Sequence, residues 1–178
     1  GNLPRELAEE KNLPVGILIS DDREKSPFET TLHLIPRRIV LGVGCRKNIG
    51  YDVLYRQIMS ALRGHDLTME QVFLLASVDL KKEEPALRRL QKEWKLEFRT
   101  FSADALRRLS GEFTPSDFVE AQVGVDNVCE RAAMLAAQRE AAAQKEQGSG
   151  NPPRFLFRKT AGNGVTVAAV ELKWGCRF

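Results

Sequence analysis

Two apolar patterns alternate along the chain. Ile39-Val40-Leu41-Gly42-Val43-Gly44-Cys45 and Val72-Phe73-Leu74-Leu75-Ala76-Ser77-Val78 are unbroken runs, as expected of strands covered on both faces. Between them Leu54, Ile58, Ala61 and Leu62 recur at helical spacing and predict a helix ending near Gly64. Pro85 fits the first turn of a second helix whose Leu87, Leu90 and Trp94 share a face. Leu96 to Phe101 reads as a third strand, with Ser102 as the N-cap of a short helix through Leu109. Thr114-Pro115-Ser116-Asp117 predicts a short helix that stops at Gly124. Asp126 then caps a long helix with a buried stripe of Val128, Ala132, Leu135 and Ala136, whose alanine-rich end from Ala141 to Gln147 has little left to bury. Residues 147–153 read as a flexible linker, and Arg154 to Thr160 and Val165 to Val170 as two strands around the hairpin signal Ala161-Gly162-Asn163-Gly164. The alternation of strands and helices from Pro36 onward predicts an α/β domain over 36–178 with a mostly parallel, mixed sheet. Residues 1–35 read differently: Val15 to Ile19 and Thr30 to Ile35 are short strands flanking a charged turn from Asp21 to Lys25, as in the tail of a preceding domain or linker.

Composition narrows the function classes. The 178 residues, 43% of them hydrophobic, supply one sizeable core. Twenty-seven cations against 24 anions leave a net charge of +3, too balanced to call for nucleic acid or a membrane surface, while small anions remain open as ligands. Cys45, Cys129 and Cys176 form no close pair, which fits reduced thiols in a cytoplasmic protein and gives no zinc pattern or other metal site. No apolar run approaches the ~20 residues of a membrane span. The leading Gly1 reads as a processed tag or an excised fragment.

The chemistry-bearing residues gather at predicted strand ends. Gly42-Val43-Gly44-Cys45-Arg46-Lys47 puts small residues and two cations at the carboxyl end of a buried strand, where α/β proteins place ligands. It lacks the third glycine of the dinucleotide fingerprint and any Gly-Lys-Ser/Thr ending, and its glycines equally allow a plain strand-to-helix turn. Arg46 and Lys47 favour an anionic ligand and a thiolate at Cys45, but His33 and His65 are too poorly placed to complete a Cys-His pair. Asp79, Lys81, Glu83 and Glu84 follow the second strand; a carboxylate beside a lysine can orient water or hold a ligand acid, and the alternative is a solvated helix start. Lys81 is the stronger candidate of the group. Glu130 sits in the first turn of the long helix, satisfying its dipole, and the amide-rich turn before it, including Gly124, suits an anion.

Taken together, several segments resemble the C-terminal domain of the cobalamin-biosynthesis protein CbiG. They are the loop from Gly42 to Lys47, Ser77 to Glu84, Thr100-Phe101-Ser102, Thr114 to Val119, Val123 to Ala133, and Lys159 followed by Gly164 to Ala168. The similarity covers about residues 37–172, and the order and spacing of the segments make the combination specific. The resemblance implies a three-layer α/β/α domain and a place in the anaerobic branch of vitamin B12 synthesis. There the complete enzyme opens the δ-lactone of cobalt-precorrin-5A and releases acetaldehyde to give cobalt-precorrin-5B. It implies no protein-bound cofactor, because the cobalt is carried by the substrate. The many carboxylates of that substrate give Arg46, Lys47 and the amide-rich turns a purpose.

On this resemblance Lys81, Glu84 and Glu130 are the catalytic candidates, with either carboxylate as base and Lys81 as electrostatic partner. Gly42, Gly44, Cys45, Arg46, Lys47, Ser102, Ser116, Gly124 and Lys159 are the candidates for substrate binding. Complete members carry an N-terminal domain and a middle region, whose end residues 1–35 resemble. The partner expected is a cobalt-corrinoid intermediate, with a homodimer and other pathway enzymes open. Two further readings stand beside the hydrolase: a corrinoid-holding module without chemistry, and a nucleotide-binding regulatory domain, which the incomplete glycine motifs count against.

Overall fold

The structure, a computed structural model, describes residues 14–22, 24–114, 127–145 and 152–172, without the side chains of 144 and 145. It falls into two compact units that divide between Arg37 and Arg38. In the first, β1 (Val15–Ile19) and β2 (Thr30–Leu34) pair in parallel, Val15 opposite Thr30 through Ile19 opposite Leu34. The turn after β1 is held locally: the Asp22 N–H donates to Ser20 Oγ and the Glu24 N–H to Asp22 Oδ1, each at 3.0 Å.

The second unit is built on a five-stranded mixed sheet. Its strands are β3 (Ile39–Cys45), β4 (Val72–Val78), β5 (Glu97–Phe101), β6 (Arg154–Gly162) and β7 (Val165–Glu171), in the order β5-β4-β3-β7-β6. The first three run parallel, because a helix follows each of β3 and β4, while β7 pairs antiparallel with β3 and with β6. The sheet is therefore evenly mixed in its pairings. The reversal is the β6–β7 hairpin, whose two turn residues Asn163 and Gly164 both take positive φ (52° and 77°), the conformation Asn-Gly supplies most readily.

Helices cover both faces. α1 (Tyr51–Arg63) and α2 (Pro85–Trp94) bury Leu54, Ile58, Leu62, Leu87 and Leu90 against Ile39, Leu41 and Val43 of β3. On the other face α3 (Ala103–Arg107) and α4 (Val128–Lys145) pack Leu106 and a row of alanines against Val40, Leu74, Ala76 and Val170. The result is a three-layer α/β/α domain. The predicted cap of α3 is in place, with Ser102 Oγ accepting the Ala105 N–H at 3.2 Å. Residues 115–124 of the predicted short helix, and Asp126 itself, lie outside the described residues; α4 is capped by the next residue, Asn127, whose Oδ1 accepts the Glu130 N–H at 3.0 Å.

The buried face of α4 differs from the expected stripe. Val128, Ala132 and Ala136 are buried as expected and are joined by Cys129, Ala133, Ala137 and Ala141, whereas Leu135 is only partly buried and the alanine-rich end is still packed at Ala141. The reason is distance. A Cβ placed on Gly42 would lie 1.9 Å from the Cys129 carbonyl oxygen and 2.8 Å from Ala133 Cβ, so the helix backbone rests directly on the strand. Only small side chains fit such an approach. At the end of the sheet away from the hairpin turn, buried Glu171 accepts bonds from Arg38 and, at 2.6 Å, from Arg154 Nε, and closes the base of the fold.

Gly42→Ala must push α4 off the sheet, since the obstructing atom is backbone. We expect it to destabilise the domain by about 2–3 kcal/mol, at the upper end of overpacking costs, measured by denaturant unfolding.

Candidate active site at the strand ends

One edge of the sheet collects the candidate residues. The carboxyl ends of β3, β4 and β5 point the same way, and the β6–β7 turn joins them there, because Cys45 pairs with Val165 and Val165 with Gly162. The Arg46 N–H donates to the Gly164 carbonyl at 2.9 Å, and a Cβ on Gly164 would meet the Arg46 side chain at 2.8 Å, so Arg46 lies across the hairpin turn. Lys47 follows in the exposed loop before α1. Ser102 stands exposed at the end of β5, its oxygen engaged in the helix cap.

The two-residue alternation of β3 splits this edge into two faces. Gly42 and Gly44 turn toward α4: Gly42 is buried beneath Cys129, and a Cβ on Gly44 would sit 2.6 Å from Thr166 Oγ1 and 3.8 Å from Val128 Cβ. Gly42 is thus a packing glycine within the strand. Cys45 turns to the opposite face, toward α1 and α2. Lys81 and Glu84 share its electrostatic surroundings, while Glu130 and Lys159 belong to the α4 face. Of the three catalytic candidates, Lys81 and Glu84 are therefore brought together, and Glu130 is held apart from them. Ser116 and Gly124 lie outside the described residues.

On the α1/α2 face, the turn Asp79–Lys81 runs from β4 into α2, and the Glu84 N–H donates to the Lys81 carbonyl at 3.1 Å. This fold-back places Lys81 Nζ 3.3 Å from Glu84 Oε2, with the side chains 14% and 4% exposed. Glu84 occupies the N-cap position of α2, yet its carboxylate makes no capping hydrogen bond, and its buried Oε1 has no hydrogen-bond partner among the described residues. Burial pushes the Cys45 thiol up to about 11; the Lys81 ammonium pulls against that and the Glu84 carboxylate adds to it. Desolvation outweighs the cations expected to favour thiolate, so Cys45 is a thiol at neutral pH.

On the α4 face, Glu130 is fully buried and satisfied at both oxygens. Oε1 accepts the Thr114 hydroxyl at 2.7 Å and the Lys159 N–H at 2.8 Å; Oε2 accepts the Thr114 N–H at 3.1 Å and Arg158 Nη1 at 3.3 Å. Burial works to raise its pKa, but the Lys159 amide, the two Thr114 donors and the Arg158 guanidinium outweigh it and hold Glu130 below the ordinary carboxylate range. Asn127 extends the network by donating from Nδ2 to the Thr114 carbonyl at 2.8 Å. Glu130 thereby fastens α4, β6 and the chain at Thr114. Thr114, Asn127 and Arg158 were not among the site candidates; Asn127-Val128-Cys129-Glu130 carries the Asx-x-x-Glu spacing of a helix start, one residue later than the cap assigned to Asp126.

Two outcomes follow from these environments. Because the folded-state pKa of Glu130 is depressed, the unfolded chain binds the extra proton, and the stabilisation is full above the unfolded value near ~4.3 and is lost as pH falls through the folded value. Glu130→Gln should flatten the acid limb of a melting-temperature profile in that window. Iodoacetamide labelling of Cys45, followed on its peptide by mass spectrometry, should be slow at neutral pH and accelerate toward about pH 11, with Lys81→Met slowing it and Glu84→Gln speeding it.

Comparison with known proteins places this architecture. The family described as cobalamin synthesis G C-terminus matches residues 39–170. The chain is 36% identical over 117 residues to the cobalt-precorrin-5A hydrolase of Salmonella typhimurium, covering 65% of this chain and 33% of that protein. It is 27% identical over 128 residues to the cobalt-precorrin-5A hydrolase of Priestia megaterium, covering 72% and 34%. The chain thus spans about a third of the length of these curated relatives. In three dimensions it is similar to CobE, a protein from the cobalamin biosynthetic pathway, with a TM-score of 0.65 at 24% identity over 78% of this chain and 93% of that one. No helix among the described residues is long and apolar enough to cross a membrane. With the family pattern running from the first residue of β3 to the penultimate residue of β7, the chain belongs to the family of the C-terminal domain of cobalamin-synthesis protein G.

Proposed function

We propose that this chain is the C-terminal part of a cobalt-precorrin-5A hydrolase in the anaerobic route to vitamin B12, and that it binds the corrinoid at the carboxyl ends of β3 and β4. The substrate brings its own cobalt, and its peripheral acetate and propionate groups meet Arg46 and Lys47 in the exposed loop after β3. Opening the δ-lactone requires water at the carbonyl carbon, a base to take a proton from that water, and a cation near the oxygen that becomes negative. Glu84 serves as the base and Lys81 as the cation; water adds to the carbonyl carbon as the lactone C–O bond breaks, and the freed hydroxyl then loses its proton while its carbon–carbon bond to the macrocycle breaks, so that acetaldehyde leaves, the ring carbon takes up a proton and cobalt-precorrin-5B is formed. Glu130 holds the opposite face in place.

The observation that carries the chemical part is the Lys81–Glu84 pair, almost buried and 3.3 Å apart at the end of β4, with one carboxylate oxygen lacking a partner. A second reading is a corrinoid-holding module that performs no chemistry. It is favoured by the similarity to CobE, in which this domain accounts for 93% of the matched chain. Cytoplasmic location, a homodimer and contacts with other pathway enzymes belong to the same proposal.

Mixing the chain with cobalt-precorrin-5A while recording the corrinoid spectrum and free acetaldehyde tests both readings. The expected result is a spectral shift with acetaldehyde released, and Arg46→Glu with Lys47→Glu should weaken binding about tenfold through two lost charge contacts. A shift without acetaldehyde supports the holding module, and no shift overturns the corrinoid assignment.

A further inference from the structure

We infer that Glu84 is a specificity residue whose free oxygen takes a neutral hydrogen-bond donor of the ligand, a hydroxyl or an amide N–H, directly or through one water, and that the Lys81–Glu84 pair rejects the ligand's carboxylates. The inference rests on the corrinoid reading above and adds which part of the ligand this pair accepts.

Three observations converge on Glu84. The first is its unequal satisfaction: Oε2 receives the Lys81 ammonium at 3.3 Å, whereas Oε1 is buried and has no donor among the described residues. Leaving a buried acceptor unmet costs about 1–3 kcal/mol, so such an atom calls for a partner from outside the chain. The second is that helix capping does not explain the side chain. Ser102, at the equivalent position of α3, accepts the Ala105 N–H at 3.2 Å, but the Glu84 carboxylate makes no such bond to α2. The third is position: Glu84 shares its surroundings with Cys45 at the end of β3 and with Lys81 at the end of β4, the edge where open sheets receive ligands.

Charge then decides what the free oxygen accepts. Lys81 is neutralised by the carboxylate beside it, and a ligand carboxylate approaching Oε1 would meet a like charge in a site with little water to screen it. The Cys45 thiol adds no positive charge. A hydroxyl or an amide N–H meets no such barrier and supplies the missing donor. Carboxylates are left to exposed Arg46 and Lys47.

The test titrates the whole chain with two cyano-cobalt corrinoids: cobyrinic acid, whose side chains are free acids, and cobinamide, whose side chains are amides. In Glu84→Gln the repelling charge is gone and Lys81 is released, so cobyrinic acid should bind several-fold more tightly, while cobinamide, losing a charged acceptor, should bind about tenfold more weakly. This opposite movement supports the inference. Equal weakening of both probes overturns it by making Glu84 a structural residue, and so does no change in either. If the unsubstituted chain binds neither probe, the corrinoid reading falls, and the inference with it. Should Glu84→Gln fail to fold, Glu84→Asp keeps the charge but withdraws the oxygen: loss confined to cobinamide supports the inference, and equal loss of both overturns it.

Discussion

The rest of the domain depends on the direct contact between α4 and β3 at Gly42. With the Cys129 carbonyl occupying the space a side chain would need, α4 has no freedom to shift along the sheet without lifting from it. That contact explains the alanine row of α4 and fixes the height of its first turn beside Gly44, Thr166 and the strand ends. It also fixes a polarity. Once Gly42 and Gly44 face α4, the period of the strand sends Val43 and Cys45 toward α1 and α2, so the two sides of the edge acquire different chemistry from one short run of sequence.

The two buried acids show what that difference means. Glu130 accepts four hydrogen bonds from Thr114, Arg158 and Lys159, and its proton affinity falls despite complete burial. A carboxylate so thoroughly stabilised is a poor proton acceptor and a good anchor. Glu84 is nearly as buried, but among the described residues its carboxylate is met by Lys81 on one oxygen and by no donor on the other. Sequence position assigned both to helix starts, and there they look alike. Their donors set them apart: those of Glu130 come from β6 and from a residue sixteen positions earlier, which no local pattern reports.

The strands and helices were legible because their signals are local and agree with one another. Unbroken apolar runs marked β3 and β4, Pro85 and Ser102 marked helix starts, and Asn163-Gly164 marked the hairpin. What was not legible depends on long-range approach. Gly42 in a Gly-x-Gly loop suggests ligand contact until the helix beneath which it lies is known. Leu135 was expected in the buried stripe of α4, yet a helix resting on a strand's backbone turns its alanines inward instead. Cys45 beside two cations suggested a thiolate, but those cations lie in an exposed loop while the thiol is packed against the core, where desolvation dominates.

This last contrast bears on how charge is distributed across the edge. Arg46 and Lys47 are hydrated, so their attraction for an anion is long-ranged, weakened by salt and tolerant of geometry. Lys81 is almost removed from water and spends its charge on Glu84. A polyanionic ligand would accordingly be drawn to the outer loop and oriented there, while the inner pair presents a donor and an acceptor side by side. That inner arrangement suits an uncharged carbonyl together with a water, which is the polarity of an ester meeting its attacking water and not of a carboxylate. The outer cations would govern encounter and the inner pair the identity of the group admitted, because only the inner pair sits where a misplaced charge cannot be solvated.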